Sequence, residues 1–188
     1  MALKLLAFAA SLRAASWNRK LIGVAADIAR REGAEVRLAE FSEFDMPLYN
    51  ADLQAHGMPE GTQRLAQAIQ EADGILLASP EYNYSVPGTL KNAIDWVSRI
   101  RPGIFRNRSA LLLSASNGQF GGIRGLWQLR IPLEGCSVHV YPDMYALPWA
   151  EKQFDVNGEL VEPDRKERLE RLIGAYLKTA VALSEVVA

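Results

Sequence analysis

Three loops of this chain concentrate the residues that could do chemistry. The first, Ala10-Ser11-Leu12-Arg13-Ala14-Ala15-Ser16-Trp17-Asn18, leads into Arg19-Lys20-Leu21 and the start of a helix. Unsatisfied backbone N–H groups and the positive end of the helix dipole stabilise an anion at such a place. Arg13 adds a charge-assisted bond. Ser16 alone reads as an ordinary helix N-cap, but Ser11, Arg13, Ser16 and Asn18 together favour a phosphate site. No glycine lies between Met1 and Ile22, so neither a Walker loop nor a dinucleotide-binding glycine turn is present there. A single phosphate is the better match.

The second loop, Ser79-Pro80-Glu81-Tyr82-Asn83-Tyr84-Ser85-Val86-Pro87-Gly88, continues into Thr89-Leu90-Lys91-Asn92-Ala93-Ile94-Asp95-Trp96. Its prolines and glycine shape the backbone so that amides, Asn83 and the tyrosine rings could face a flat heteroaromatic ligand. In isolation the same residues make an ordinary turn with surface tyrosines; Ile94 and Trp96 read as packing. The third loop, Ser114-Ala115-Ser116-Asn117-Gly118-Gln119-Phe120-Gly121-Gly122-Ile123-Arg124, has three glycines that allow a ligand close to the backbone, or simply close a turn. One phosphate beside a flat ring suits a mononucleotide such as FMN better than ATP.

What must position these loops is an alternation of strands and helices. Residues 3–9, 36–39, 74–79, 109–114 and 137–141 form short apolar runs. Helical spacing appears at Leu21, Ile22, Ala25, Ile28 and Ala29, at Leu65, Ala68, Ile69 and Ala72, and at Leu90, Ala93, Ile94, Val97 and Ile100. A glycine-started helix spans 121–133, and a closing helix carries Leu169, Leu172, Ile173, Tyr176, Leu177 and Ala180 on one face. Residues 41–59 read as a long irregular loop. This pattern predicts an α/β fold, a doubly wound five-stranded parallel sheet of order 2-1-3-4-5, over a single domain 1–188. Ligands of such sheets bind outside the carboxyl ends of the strands, where the strand order reverses. The three loops follow strands one, three and four.

Composition narrows the function further. With 22 acidic and 21 basic side chains the net charge is −1, so no global field draws nucleic acid, anionic lipid or a strongly basic partner. Cys136 is the only cysteine; it supplies no intramolecular disulfide, fits a reducing cytoplasm, and reads as packing rather than as a nucleophile. His56 and His139 stand far apart in sequence without a ligand set, and no metal site is expected. The apolar start reads as a buried strand, and no run reaches the length of a membrane span.

On these motifs, Ser-Leu-Arg-x-x-Ser-x-Asn, Pro-Glu-Tyr-Asn-x-Ser-x-Pro-Gly-x-Leu-Lys-Asn-Ala-x-Asp-Trp and Gly-x-x-Gly-Gly-x-Arg, the chain resembles the NADPH-dependent FMN reductase family, flavodoxin-like enzymes that include quinone, chromate and azo-dye reductases. Ala10 stands where the family often has glycine. The resemblance implies that Ser11, Arg13, Ser16 and Asn18 hold the FMN phosphate, that Pro80, Glu81, Tyr82 and Asn83 border the isoalloxazine ring, and that Ser116 and Gly118 meet its other edge. It implies a ping-pong oxidoreductase that takes hydride from NADPH or NADH and passes electrons to a small acceptor such as a quinone, chromate, an azo compound or flavin. No residue is assigned as acid, base or nucleophile, because the cofactor carries the chemistry. Homodimers or homotetramers are implied as well. A non-enzymatic FMN electron carrier and a flavin-bound redox sensor are the alternatives; carriers are usually strongly acidic, and this chain is not.

Overall fold

The structure is a computed structural model that describes residues 2–187; Met1 and Ala188, the end positions of the expected 1–188 domain, lie outside the described residues. The chain runs β1 (Lys4–Ala9), α1 (Trp17–Arg31), β2 (Glu35–Ala39), α2 (Ala51–Ala55), α3 (Glu60–Gln70), β3 (Gly74–Ala78), α4 (Gly88–Val97), β4 (Ser109–Ala115), α5 (Ile123–Gly135), β5 (His139–Val140), β6 (Tyr145–Leu147) and α6 (Pro163–Val187). Among the described residues the strands of the sheet pair in parallel and the order is β2-β1-β3-β4-β5, as the sequence pattern predicts. Every residue of β3 and β4 is buried. Helices cover both faces, which is why these strands read as unbroken apolar runs rather than as alternating ones. Leu6, Phe8, Ile75, Leu77 and Leu112 pack with residues of α3, α4 and α5 on one face; Leu5, Ala7, Leu76, Leu111 and Leu113 pack with α1 and α6 on the other. The β2 edge keeps Glu35 and Arg37 in contact with water, which discourages pairing with another chain.

Two expectations are corrected. The fifth strand, expected over 137–141, pairs only at His139–Val140 and then resumes as β6. Ser109 pairs with His139 and Leu113 with Tyr145, so the outer strand advances six residues (145 − 139) while β4 advances four (113 − 109). Pro142 sits in the excursion between the two segments and has no N–H for the ladder. The sheet therefore has six strand segments in five positions. The stretch 41–59 is also more ordered than expected. Phe41–Phe44 forms a 3₁₀ turn whose two phenylalanines are buried, Phe41 stacking on Phe8 at 5.9 Å, and α2 follows. Elements this short carry too few turns for periodicity to reveal them.

Helix α4 shows how the long middle motif builds the fold. Leu90, Ala93, Ile94 and Val97 face the sheet, while Asn92 and Trp96 grip the segment that follows β2. Asn92 Oδ1 accepts the Tyr49 N–H at 2.7 Å, and both its Nδ2 (2.9 Å) and Trp96 Nε1 (2.8 Å) donate to the Pro47 carbonyl. The Tyr49 ring meets Trp96 edge-on at 5.1 Å. Asn92→Ala strands the Tyr49 N–H and leaves the Pro47 carbonyl only its Trp96 bond, and is expected to lower the unfolding free energy by about 1–3 kcal/mol. Urea denaturation checks this; an unchanged midpoint means that the Pro47–Tyr49 segment is held by other contacts.

Tyr176 of α6 pins the opposite face. Its hydroxyl accepts the Ile75 N–H at 3.1 Å and shares a 3.0 Å bond with Ser109 Oγ, and complete burial raises its pKa above the ordinary tyrosine value. A Cβ at residue 74 would collide with that hydroxyl, so Gly74 is what lets α6 reach the sheet.

Candidate functional site

The carboxyl ends of β1, β3 and β4 open into one cleft of about 260 Å³ lined by residues from all three motif loops. Ser11 and Ser16 are buried at its floor and Arg13 is exposed at its rim. Ser16 is the N-cap of α1, its Oγ accepting the Asn18 N–H at 3.2 Å. The first turn of α1 contains no acidic residue, and Arg13 joins no ion pair among the described residues. The first turn thus sets no acidic side chain of its own against the positive end of the helix, a setting in which an anion is stabilised. Asn18 also lines the cleft, but its side chain is engaged elsewhere. Oδ1 accepts the Ala115 N–H at 2.9 Å and Nδ2 donates to the Ala115 carbonyl at 3.0 Å. Both of its polar ends fasten the first loop to the end of β4, so Asn18 sets the spacing of two cleft walls and keeps one amide N–H beyond those bonds.

In the second loop Pro80, Glu81 and Tyr82 line the cleft. Tyr82 and Ser85 exchange both backbone bonds (3.1 and 3.0 Å) around Asn83 and Tyr84, whose φ angles are 49° and 66°. This is a two-residue hairpin turn with both central residues left-handed, a conformation that asparagine tolerates well. Asn83 sits at the tip of that turn and is not among the lining residues. The Glu81 carboxylate turns into protein. It accepts the Gly125 N–H at 3.1 Å in the first turn of α5 and pairs with Arg124 Nη2 at 2.6 Å.

From the third loop Ser116 and Asn117 line the cleft, and the Gly118 N–H donates to Ser116 Oγ at 3.2 Å. A Cβ on Gly118 would meet only that hydroxyl, at 3.7 Å, so its outer side is open to a ligand. Gly121 and Gly122 serve another purpose than the expected approach of a ligand. A Cβ on Gly121 would lie 2.8 Å from the Leu147 and Pro148 backbone, and one on Gly122 would strike Ser114 Oγ; what approaches closely is protein. The sequence reading also missed the outer support of this loop. Ser116 bonds Leu147 and Ala150 through the backbone, Asn117 exchanges two 3.1 Å bonds with Glu151, and Trp17, which lines the cleft, stacks on Phe154 at 5.9 Å.

Residues 3–152 match the family model for NADPH-dependent FMN reductase. The chain belongs to that family. It is 37% identical over 175 residues to an NAD(P)H-dependent FMN reductase of Pseudomonas aeruginosa, covering 92% of each chain. It is 34% identical over 193 residues to an NAD(P)H:quinone oxidoreductase of Solanum tuberosum, covering 96% of this chain and 94% of the relative. Among solved structures it is similar to FerB, a flavoenzyme NAD(P)H:(acceptor) oxidoreductase from Paracoccus denitrificans, with a TM-score of 0.85, 26% identity, and coverage of 96% of this chain and 98% of that one. As a member of the NADPH-dependent FMN reductase family the chain is an oxidoreductase that works with FMN and NAD(P)H.

The cleft fits the cofactor in the family's description. One end joins two hydroxyls, an arginine without a carboxylate partner and a helix N-terminus, a donor set for a single phosphate. The other end is walled by Pro80, a half-exposed Tyr82, Ser116 and the open side of Gly118, a surface for a flat polar ring. Burial pushes the Cys136 thiol pKa up, and its side chain packs against the core beneath α4 and α5. It has the character of an inert thiol.

Proposed function

We propose that this FMN reductase-family chain holds FMN in the three-loop cleft and passes electrons from NAD(P)H to a quinone or a similar small acceptor in two half-reactions. The observation that carries the reading is the union, in one cleft, of an α1 N-terminus whose first turn holds no acidic residue and two polar walls at the carboxyl ends of β3 and β4. Ser11, Arg13 and Ser16 bind the phosphate, with Asn18 fixing their distance to Ala115. Pro80 and Tyr82 border the ring on one side with Glu81 behind them and Asn83 shaping the hairpin that carries Tyr82, and Ser116 and Gly118 meet the other edge. When bound, FMN supplies the redox centre, accepting hydride and returning electrons. The chain's own part is to bind, to orient and to limit water; no side chain needs to act as acid, base or nucleophile. Quinone is favoured as the acceptor class by the names of the plant relatives.

We further infer a homodimer or homotetramer. On α5 and the loop before it Phe120, Trp127 and Ile131 are 50, 54 and 66% exposed, and aromatic side chains left in water beside a site mark an interaction surface. A reducing cytoplasm is the proposed location, supported by the lone unactivated cysteine. Among the described residues no helix is long and apolar enough to cross a membrane.

An anaerobic absorption spectrum of the protein with FMN tests the reading. Addition of NADPH or NADH is expected to bleach the bound flavin within seconds, and a quinone to restore its colour. Bound flavin that neither nucleotide bleaches would make the chain a carrier or sensor, and failure to retain FMN would remove the cleft assignment.

A further inference from the structure

We propose that Arg124 is a positioning residue that locks the two walls of the cleft mouth together through Glu81, Tyr84 and Phe120. The inference rests on the FMN reading of the cleft. Arg124 is the second residue of α5, and its guanidinium contacts both loops at once. Nη2 pairs with Glu81 Oε1 at 2.6 Å, and the guanidinium carbon lies 4.2 Å from the centre of the Tyr84 ring and 4.8 Å from that of Phe120. Its Nε is buried without a hydrogen-bond acceptor, so the ion pair with Glu81 and the two aromatic rings are the contacts that hold the guanidinium. The Glu81 side chain is only 8% exposed, and its other oxygen takes the Gly125 N–H.

These contacts make one joint. Tyr84 belongs to the hairpin after β3, Phe120 to the loop after β4, and neither ring is buried in the core. A hairpin whose central residues are both left-handed and non-glycine holds its shape only where its surroundings determine it. Arg124 is the group that does so, because a planar cation can pair with a carboxylate along its edge and stack on rings with its face. Without it, Glu81 keeps a buried charge with one remaining partner, and Tyr84 loses its contact with the opposite wall. A flat nicotinamide or quinone entering between the walls depends on their spacing; the phosphate end, built on α1, does not.

Backbone amide exchange of Arg124→Ala and Glu81→Gln in FMN-free protein, followed by FMN titration and steady-state kinetics, tests this. Exchange at Tyr82, Ser85 and Gly125 is expected to rise at least tenfold in both variants, and in Arg124→Ala the FMN affinity stays within threefold of the parent. In Arg124→Ala the KM for NADPH and for a benzoquinone rises tenfold or more while kcat stays within threefold. Arg124→Lys, which keeps the charge but not the planar face, restores the KM values only in part. Unchanged exchange at the hairpin overturns the proposal, as does an FMN affinity lowered more than tenfold, which would make Arg124 a cofactor ligand. If Arg124→Ala does not fold, Glu81→Gln decides by the same exchange readout. If the parent protein fails to bind FMN, the cleft reading falls, and the exchange result still shows whether the joint exists.

Discussion

Arg13→Ala combined with Ser16→Gly is expected to lower the affinity for FMN by roughly 100-fold or more, because on the proposed reading it removes a charge-assisted bond and one hydroxyl from the phosphate end of the cleft, together about 3 kcal/mol. Glycine is the informative replacement at Ser16. The Ser16 hydroxyl caps α1 by accepting the Asn18 N–H, and alanine there would add a capping loss of about 1 kcal/mol, whereas glycine costs only a few tenths. A hydroxyl can accept from Asn18 and still donate its own proton to a phosphate oxygen, so capping and binding do not compete. Arg13 is exposed and joins no ion pair among the described residues. Arg13→Ala alone is therefore expected to leave the unfolding midpoint unchanged while weakening FMN binding about tenfold or more, and the loss shrinks as salt screens the parent's attraction. Titration of the FMN-free protein by flavin fluorescence measures all three proteins. Equal affinities would mean that the phosphate lies elsewhere.

The parts of this molecule that were legible in its sequence are those that burial dictates. Strands covered on both faces must be apolar throughout, so β3 and β4 announced themselves, and the stripes of α1, α4 and α6 fixed the layers around them. The outer strand was legible only up to its interruption, since Pro142 and Asp143 look like a stop until Tyr145 is seen to pair with Leu113. At the site, residue type indicated place better than partner. Ser11, Arg13 and Ser16 line one cleft at the α1 N-terminus. Asn18 and Glu81 line the same cleft, yet their polar atoms bond Ala115, Gly125 and Arg124, and these partners lie 97, 44 and 43 positions away in the chain. A carboxamide or carboxylate in a loop carries no local mark of whether it will meet a ligand or another loop. Arg124 belonged to a recognised motif, but its role follows only from the meeting of three separate segments.

The glycine pair at 121–122 carries the same lesson to its largest energetic effect. Gly122→Ala is expected to destabilise the protein by about 3–5 kcal/mol. Gly122 sits at φ 88°, and a β-carbon there would strike Ser114 Oγ and lie 2.9 Å from Ser114 Cβ, which no side-chain rotation relieves in this wholly buried strand. The left-handed backbone alone costs about 1–2 kcal/mol for alanine, and the overlap adds the remainder. Gly122 is also the N-cap of α5, so relief of the clash displaces Arg124 and Gly125 from Glu81 and loosens the joint between the two walls along with the fold. Gly118→Ala supplies the contrast. Its added carbon would touch only Ser116 Oγ at 3.7 Å, so the unfolding midpoint is expected to stay near that of the parent, while any change in FMN affinity reports on the open side of the cleft. Urea denaturation and FMN titration of the two variants separate a glycine required by the fold from one available to the ligand. If Gly122→Ala proves as stable as the parent, the third loop does not pack against β4 in the way that places Glu81 and Arg124 together.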